Sequence, residues 1–340
     1  MTRSLHVEQA GPAVSVQDAG RSGGLGLGLS RGGAADRHAY FKGIALLRND
    51  AQAAAIEMAG LGGRFRFDTA ARFALTGARF RATIGGVNIE PDAVHLAGAG
   101  DVLEVGGASE GVYGYLHIGG GIDTPVELGG RGFHRIAGLG RAITAGDTLP
   151  LGTDPHTDAP PMRLEARPAA TGPVRVMPGP QTALFPPASL AAFEAAFFTR
   201  SPKANRQGVR LDHDGAPFAT ASQLNQVSDF IAEGDIQMTG DGTPFVLLAD
   251  CQTMGGYPRI GTVLPADLPR IAQAMPGDSI RFSFVSEDEA GASWQPDAAI
   301  IDGFRKRCVP RVRDPREMND LLSYELIDRP GEEITGTGDS

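Results

Sequence analysis

The chain has 340 residues, enough for two domains, and a formal net charge of −9 that opposes binding to a polyanion and argues against nucleic acid as a partner. Cys251 and Cys308 are too few for a disulfide framework and lack metal-ligand spacing, so a reducing, cytoplasmic setting is expected. No apolar run approaches the roughly 18 to 20 residues that span a bilayer, and no charged and apolar N-terminal signal is seen.

Forty-seven glycines and 24 prolines separate many short apolar runs, which predicts a mainly β protein with short helices covering its sheets. The first notable segment, residues 15–36, joins Gln17, Asp18 and Arg21 to a glycine-dense loop. It reads either as a phosphate cradle or as a conformationally demanding structural loop; it has no lysine and no G-x-x-x-x-G-K-[ST] pattern. Tyr40, Ile44 and Leu47 stand at i, i+4, i+7 and predict a helix over 36–48. Asp50 is placed to cap a second short helix through Met58, and further helices are expected over 188–199 and 266–274. Gly100-Asp101, Gly146-Asp147 and Gly277-Asp278 each precede an apolar strand, a recurrence that suggests two halves of similar build. Gly119 to Asp123 and Pro178 to Gln181 each follow an apolar run, so Asp123 and Gln181 emerge at strand ends.

Residues 153–173 are rich in proline, alanine and polar side chains and lack a sustained apolar pattern, so the domain border is placed there. The expected organisation is an N-terminal domain over 1–152, a linker over 153–173, a C-terminal domain over 174–290, and an extension over 291–340 with a partly frayed tail. Arg206 and Arg210 flank a glycine, where guanidinium groups would hold an anion or simply face solvent. The densest stretch is 245–268. Two apolar strands, 245–249 and 260–264, bracket a turn carrying Asp250, Gln252, Gly255, Gly256, Tyr257 and Arg259, either a solvated hairpin connection or a ligand site; Cys251 is the one thiol placed to matter. The seven histidines show no metal-binding spacing, no metal site is expected, and a G-x-S-x-G elbow is absent.

Taken in order, VQDAGR (16–21), GGAAD (32–36), ALTGA (74–78), GGID (120–123), PGPQ (178–181), RQGVRL (206–211), GDIQ (234–237) and D-x-QT-x-GGYPRI from Asp250 resemble the allophanate hydrolase subunit 2 family of carboxyltransferase-type proteins, which includes KipA and the C-type subunit of 5-oxoprolinase. The resemblance implies two cyclophilin-like β-barrel domains in tandem with a cleft between them. It implies a partner of the KipI or 5-oxoprolinase B type, a LamB/YcsF-like A-type subunit, and work on a small amide or lactam. ATP with Mg in the complex would serve phosphorylation and opening of 5-oxoproline; biotin would serve the alternative, carboxyl transfer to urea or another small amide. A third reading is a KipA-like regulator that sequesters a kinase inhibitor without catalysis.

On the leading reading, Asp18 or Asp250 orients the amide N–H while Arg21, Arg206 and Arg210 neutralise phosphoryl oxygens. Gln181, Gln237 and Gln252 offer paired donors and acceptors to a lactam edge, Tyr257 closes an apolar wall, and Gln17, Asp36, Gly255, Gly256 and Arg259 complete the expected substrate contacts. The chain departs from the family pattern at Cys251, where arginine is usual, at Met254 for threonine, and at Glu233 where proline precedes the GAIQ-type motif.

Overall fold

The structure, a computed structural model, describes residues 3–168, 170–218, 220 and 227–311. The expected frayed tail lies outside them. In the first half, β1 (Ser4–Ala10), β2 (Val14–Gln17), β3 (Ala55–Ala59), β4 (Gly63–Phe67), β5 (Ala71–Ile84), β6 (Val87–Asn88), β7 (Val94–Ala97), β8 (Val102–Ile118) and β9 (Thr148–Pro150) form one antiparallel sheet, ordered β2-β3-β8-β4-β1-β9 with β5 joining β8 to β6 and β7. After β10 (Met162–Leu164) come β11 (Val174–Met177), β12 (Phe198–Asn205), β13 (Gly208–Asp212), β14 (Asp229–Phe230), β15 (Asp235–Met238), β16 (Pro244–Leu247), β17 (Met254–Gly255), β18 (Arg259–Val263), β19 (Ser279–Ile280) and β20 (Phe282–Phe284). Eight of these make a second sheet, β19-β12-β13-β16-β15-β18-β11-β20, while β14 and β17 pair as a separate ribbon. One sheet curls into a half-barrel and the other nearly closes, as expected for a tandem β-barrel protein.

Helix α1 (Arg37–Leu47) forms where the spacing predicted it. The Asp36 carboxylate accepts the Ala39 N–H at 2.9 Å, and Tyr40, Ile44 and Leu47 are buried. The helix expected from Asp50 to Met58 is instead a turn followed by β3, held between β2 and β8. The alanine-rich sequence favours a helix by propensity, but pairing on both sides outweighs that local preference. The expected 188–199 helix is α2 (Pro187–Ala195), which stops before Phe198 pairs with Ile280 in the sheet. Helix α3 (Leu268–Gln273) occupies the 266–274 position.

The Gly-Asp strand openers share one geometry. Gly100, Gly146 and Gly277 have φ of 89°, 93° and 94°, a region L-residues avoid, and Asp101, Asp147 and Asp278 each accept the backbone N–H three residues earlier at 2.7 to 2.8 Å. Gly234-Asp235 is a fourth example, with φ 92° and the Ala232 N–H donating to Asp235 at 2.9 Å.

The stretch read as a linker is tied to the first half. Asp154 is buried against Arg72 at 2.9 Å, and β10 pairs with β21 (Cys308–Pro310) from the C-terminal extension. Helices α4 (Glu287–Ser293) and α5 (Asp297–Arg305) precede β21, and α5 packs along α1 through the Arg37–Asp297 ion pair and the Phe304 ring beside His38. Leu5, Phe65, Phe73 and Leu116 fill the inside of the first sheet. A second core runs across both halves, from Tyr40, Ile44 and Tyr115 to Phe193, Val246 and Phe282. No helix among the described residues is long and apolar enough to cross a membrane.

Candidate functional site

The halves meet polar-to-polar around Gly32 and Gly33. Arg206, in the turn between β12 and β13, donates through Nε and Nη2 to the two carboxylate oxygens of Asp250 at 2.8 Å each. Its Nη1 reaches Glu57 on β3 and its Nη2 also reaches the Gly33 carbonyl, so one guanidinium ties both halves together. Glu57 is buried and accepts from the Ala35 N–H at 2.9 Å and from the Tyr115 hydroxyl at 2.8 Å. Burial works against the Arg206 charge, but the facing carboxylates outweigh it and hold the guanidinium firmly protonated.

Asp18 follows β2. One of its oxygens accepts from the Gly20 N–H at 2.9 Å and the other from the N–H groups of Arg131 and Gly132 at 2.5 and 3.3 Å. Arg21 is buried and donates to the carbonyls of Glu127 and Gly132 at 3.0 and 2.8 Å, while its Nη1 has no partner. Among the described residues it faces no carboxylate within ion-pair distance, unlike Arg206 or Arg72. The spot a Cβ on Gly32 would occupy lies 3.7 Å from Arg21 Nη1 and 3.8 Å from Asp250 Oδ1. A cation with a free N–H and an oriented carboxylate therefore border the same bare piece of backbone. The Gly32 N–H donates to the Ala249 carbonyl at 3.0 Å, and Arg31 and Glu233 close the junction with a bidentate ion pair at 2.8 Å. Glu233, the residue that departs from proline, thus bridges the halves.

Of the residues expected to act on the ligand, Asp18, Arg21, Arg206 and Asp250 gather at this junction. Gln17 flanks them, its amide donating to the Phe133 carbonyl at 2.9 Å and its Oε1 buried without a partner. Arg210 does not join them. On β13 Val209 and Leu211 point inward, so Arg210 faces out and pairs with Asp212 at 2.7 Å. Asp36 is engaged as the α1 cap and accepts from Gln273 at 2.8 Å, a structural role rather than a ligand contact. Arg206 is likewise committed to Asp250 and Glu57, which removes it as a neutraliser of phosphoryl oxygens and makes it the clamp that orients Asp250.

The later part of the loop builds a second polar cluster. Gln181 Oε1 accepts from the Arg259 backbone N–H at 2.9 Å, and Arg259 pairs with Asp229 and, at 3.3 Å, with Asp235. Gln237 Nε2 is buried without a partner, 2.7 Å from where a Cβ on Gly255 would stand. Gly256 follows Gly255 along the half-buried edge, and Gln252 and Tyr257 are exposed, so neither forms a wall. Cys251 is buried beside Ile231 and Leu247, and burial pushes its thiol up to about 12, which rules out a thiolate nucleophile near neutral pH.

Glu57, Ser30 and His134 were missed from the sequence. Ser30 and His134 are buried together with Ser30 Oγ 2.8 Å from His134 Nε2; Glu57 sits on the strand expected to be a helix. A trough of about 1450 Å³ beside α1 lies elsewhere. Of the expected site residues only Asp36 borders it, and its Lys42 and Arg79 are each paired with Asp92.

Residues 27–284 match the family described as carboxyltransferase domain, subdomain A and B. The chain is 33% identical to the C subunit of 5-oxoprolinase from Escherichia coli (strain K12) over 84% of its own length and 93% of that protein's, and 30% identical to the Haemophilus influenzae protein of the same name over 86% and 95%. Among solved structures it is similar to Kluyveromyces lactis urea amidolyase, with a TM-score of 0.80 and 25% identity over 93% of this chain but 21% of that one. It is also similar to TTHA0988, with a TM-score of 0.74 and 31% identity over 83% of this chain and 56% of that chain.

Proposed function

The chain belongs to the carboxyltransferase domain family, subdomain A and B, and from that membership and the Gly32 site we propose that it is the C subunit of an ATP-dependent 5-oxoprolinase-type complex, binding a lactam or related amide for phosphorylation and opening. The reading is carried by one observation: Asp250, oriented by Arg206, and the unpartnered Nη1 of Arg21 lie 3.8 and 3.7 Å from the same point above Gly32 at the junction of the halves.

An amide oxygen becomes a better nucleophile as its nitrogen lone pair moves toward the carbonyl, leaving positive charge at N–H. A carboxylate accepting that N–H stabilises the charge as it develops. Asp250 is built for this role, because both guanidinium bonds hold its plane while lone pairs on each oxygen stay free. Arg21 balances negative charge on the ligand.

ATP would supply the phosphoryl group. The residues around Gly32 do not fit a triphosphate, since the carboxylates of Asp18, Glu57 and Asp250 crowd the site and Arg206 is engaged. We therefore place the nucleotide on a partner of the KipI-like B type, with ring opening completed by a LamB/YcsF-like A-type partner. The test is reconstitution. The complex should hydrolyse ATP only when 5-oxoproline or a related amide is present, Asp250→Asn should lower kcat by roughly 100-fold, and robust turnover by the isolated chain would refute the dependence.

The likeness to urea amidolyase favours a second reading, carboxyl transfer from biotin on another chain, in which Asp250 instead draws a proton from an attacking urea nitrogen. Labelled bicarbonate appearing on urea, with no activity toward 5-oxoproline, would select it.

A further inference from the structure

The trough beside α1 is walled by both halves and by the segment between them, and at about 1450 Å³ it exceeds the roughly 300–1000 Å³ of small-ligand pockets. Its charges are not balanced. Arg163, Arg167, Arg270, Arg281 and Arg307 line it and form no ion pair among the described residues, whereas Arg72, Arg175, Arg206 and Arg259 elsewhere each face a carboxylate. The trough's own carboxylates are mostly engaged: Asp92 with Lys42 and Arg79, Glu90 with Arg311, Asp36 with Gln273, and Asp278 with the Met275 N–H at 2.7 Å. Among the described residues of its walls only the Glu110 and Glu165 carboxylates are left over. Three of the guanidinium groups are held in place without being neutralised. Arg270 donates to the Pro173 carbonyl at 3.1 Å and to the Gly172 carbonyl, and Arg281 lies 5.0 Å over the exposed Phe197 ring. Arg307 lies 5.6 Å over Phe304 and donates through Nη2 to the Glu165 carbonyl at 2.6 Å, while its Nε is buried without a partner. Burial, and then the neighbouring Arg167 charge, hold it below the ordinary guanidinium range.

We propose that this trough is a docking groove for an extended acidic segment of a partner polypeptide, whose aspartates and glutamates pair with Arg163, Arg270, Arg281 and Arg307. The inference goes beyond the lactam reading and does not depend on it. Charge complementarity carries it, since a planar guanidinium fork matches a carboxylate through two parallel N–H bonds. The cations stand on separate elements: β10, α3, the residue between β19 and β20, and the turn after α5. That spread suits a chain carrying carboxylates at intervals better than one small anion. Nucleic acid fits worse, because an unbroken row of phosphates would meet Glu110 and Glu165 on the walls of a chain with net charge −9, whereas a peptide bears carboxylates only where an arginine stands.

The probe is fluorescein-labelled decaglutamate, titrated with the full chain and read by fluorescence anisotropy. The parent should bind it, and raising salt from about 0.05 to about 0.3 M should weaken binding severalfold as screening shortens the reach of exposed charges. Reversing two trough cations together, Arg163→Glu with Arg281→Glu, should weaken binding roughly 10-fold or more, because two attractions each worth a few-fold become repulsions. Arg81→Glu with Arg135→Glu makes the same change in net charge at exposed arginines outside the trough, and should cost less than about 3-fold. No binding by the parent, equal losses in the two double variants, or binding that ignores salt would overturn the groove. Competition by inorganic phosphate, or by a single-stranded DNA oligonucleotide, at concentrations comparable to unlabelled decaglutamate would overturn its assignment to an acidic polypeptide.

Discussion

Replacing Arg206 by methionine keeps most of the side-chain volume and removes the one cation shared by Asp250 and Glu57. Their side chains are 5% and 2% exposed, so neither carboxylate can turn to water. Glu57 keeps its bonds from Ala35 and Tyr115, whereas Asp250 loses both of its guanidinium bonds. Breaking a buried pair from one side costs about 3–5 kcal/mol, and the shared geometry places this variant toward the upper end. With an unfolding entropy of about 2.1 cal/mol/K per residue over 340 residues, that is a melting temperature roughly 4–7 °C lower. Differential scanning calorimetry reads it. Adding Glu57→Gln and Asp250→Asn should recover more than half of the loss, because the uncompensated charges are gone. Arg210→Ala, at the solvent-facing pair with Asp212, is the control and should shift stability by less than about 1 kcal/mol. An Arg206→Met protein melting with the parent, or a triple variant weaker than the single one, would show that the clamp does not hold the junction.

His117 is fully buried with both ring nitrogens unpartnered, and burial pushes its imidazole down to about 3. Its folded value is depressed, so its contribution is complete above the ordinary value of about 6.5 and is lost as pH falls from there toward 3, by up to about 1.4 kcal/mol per pH unit. Urea unfolding at pH 7.5 and pH 5 should therefore show a smaller difference for His117→Phe than for the parent; equal differences would contradict the assignment. Cys251 should resist iodoacetamide at pH 7.5 in the native protein and react after unfolding, and stoichiometric native labelling would disprove its burial. Gly277→Ala should cost about 1–2 kcal/mol through backbone conformation alone, since φ is 94° and nothing lies within 4 Å of the added methyl. A neutral result in urea titration would remove the conformational reason for glycine there.

What the sequence determined by itself was local chemistry. The Gly-Asp turns were legible because a positive-φ glycine and an aspartate reaching back three residues need no distant partner, and α1 because its cap and apolar period lie within one segment. The motif order pointed to the family, and Asp18, Arg21 and Asp250 stood out beside glycines. Tertiary structure decided the rest. Residues 55–59 became a strand because neighbours on both sides supplied hydrogen bonds that helix propensity could not match. Arg210 turned outward because the side a strand residue faces depends on which of its neighbours enter the core, and Val209 and Leu211 do. Arg206 proved to be a clamp, and Ser30 met His134 across 104 residues of chain, because only folding sets which buried charges and donors satisfy one another and which, like Arg21 Nη1, are left without a hydrogen-bond partner.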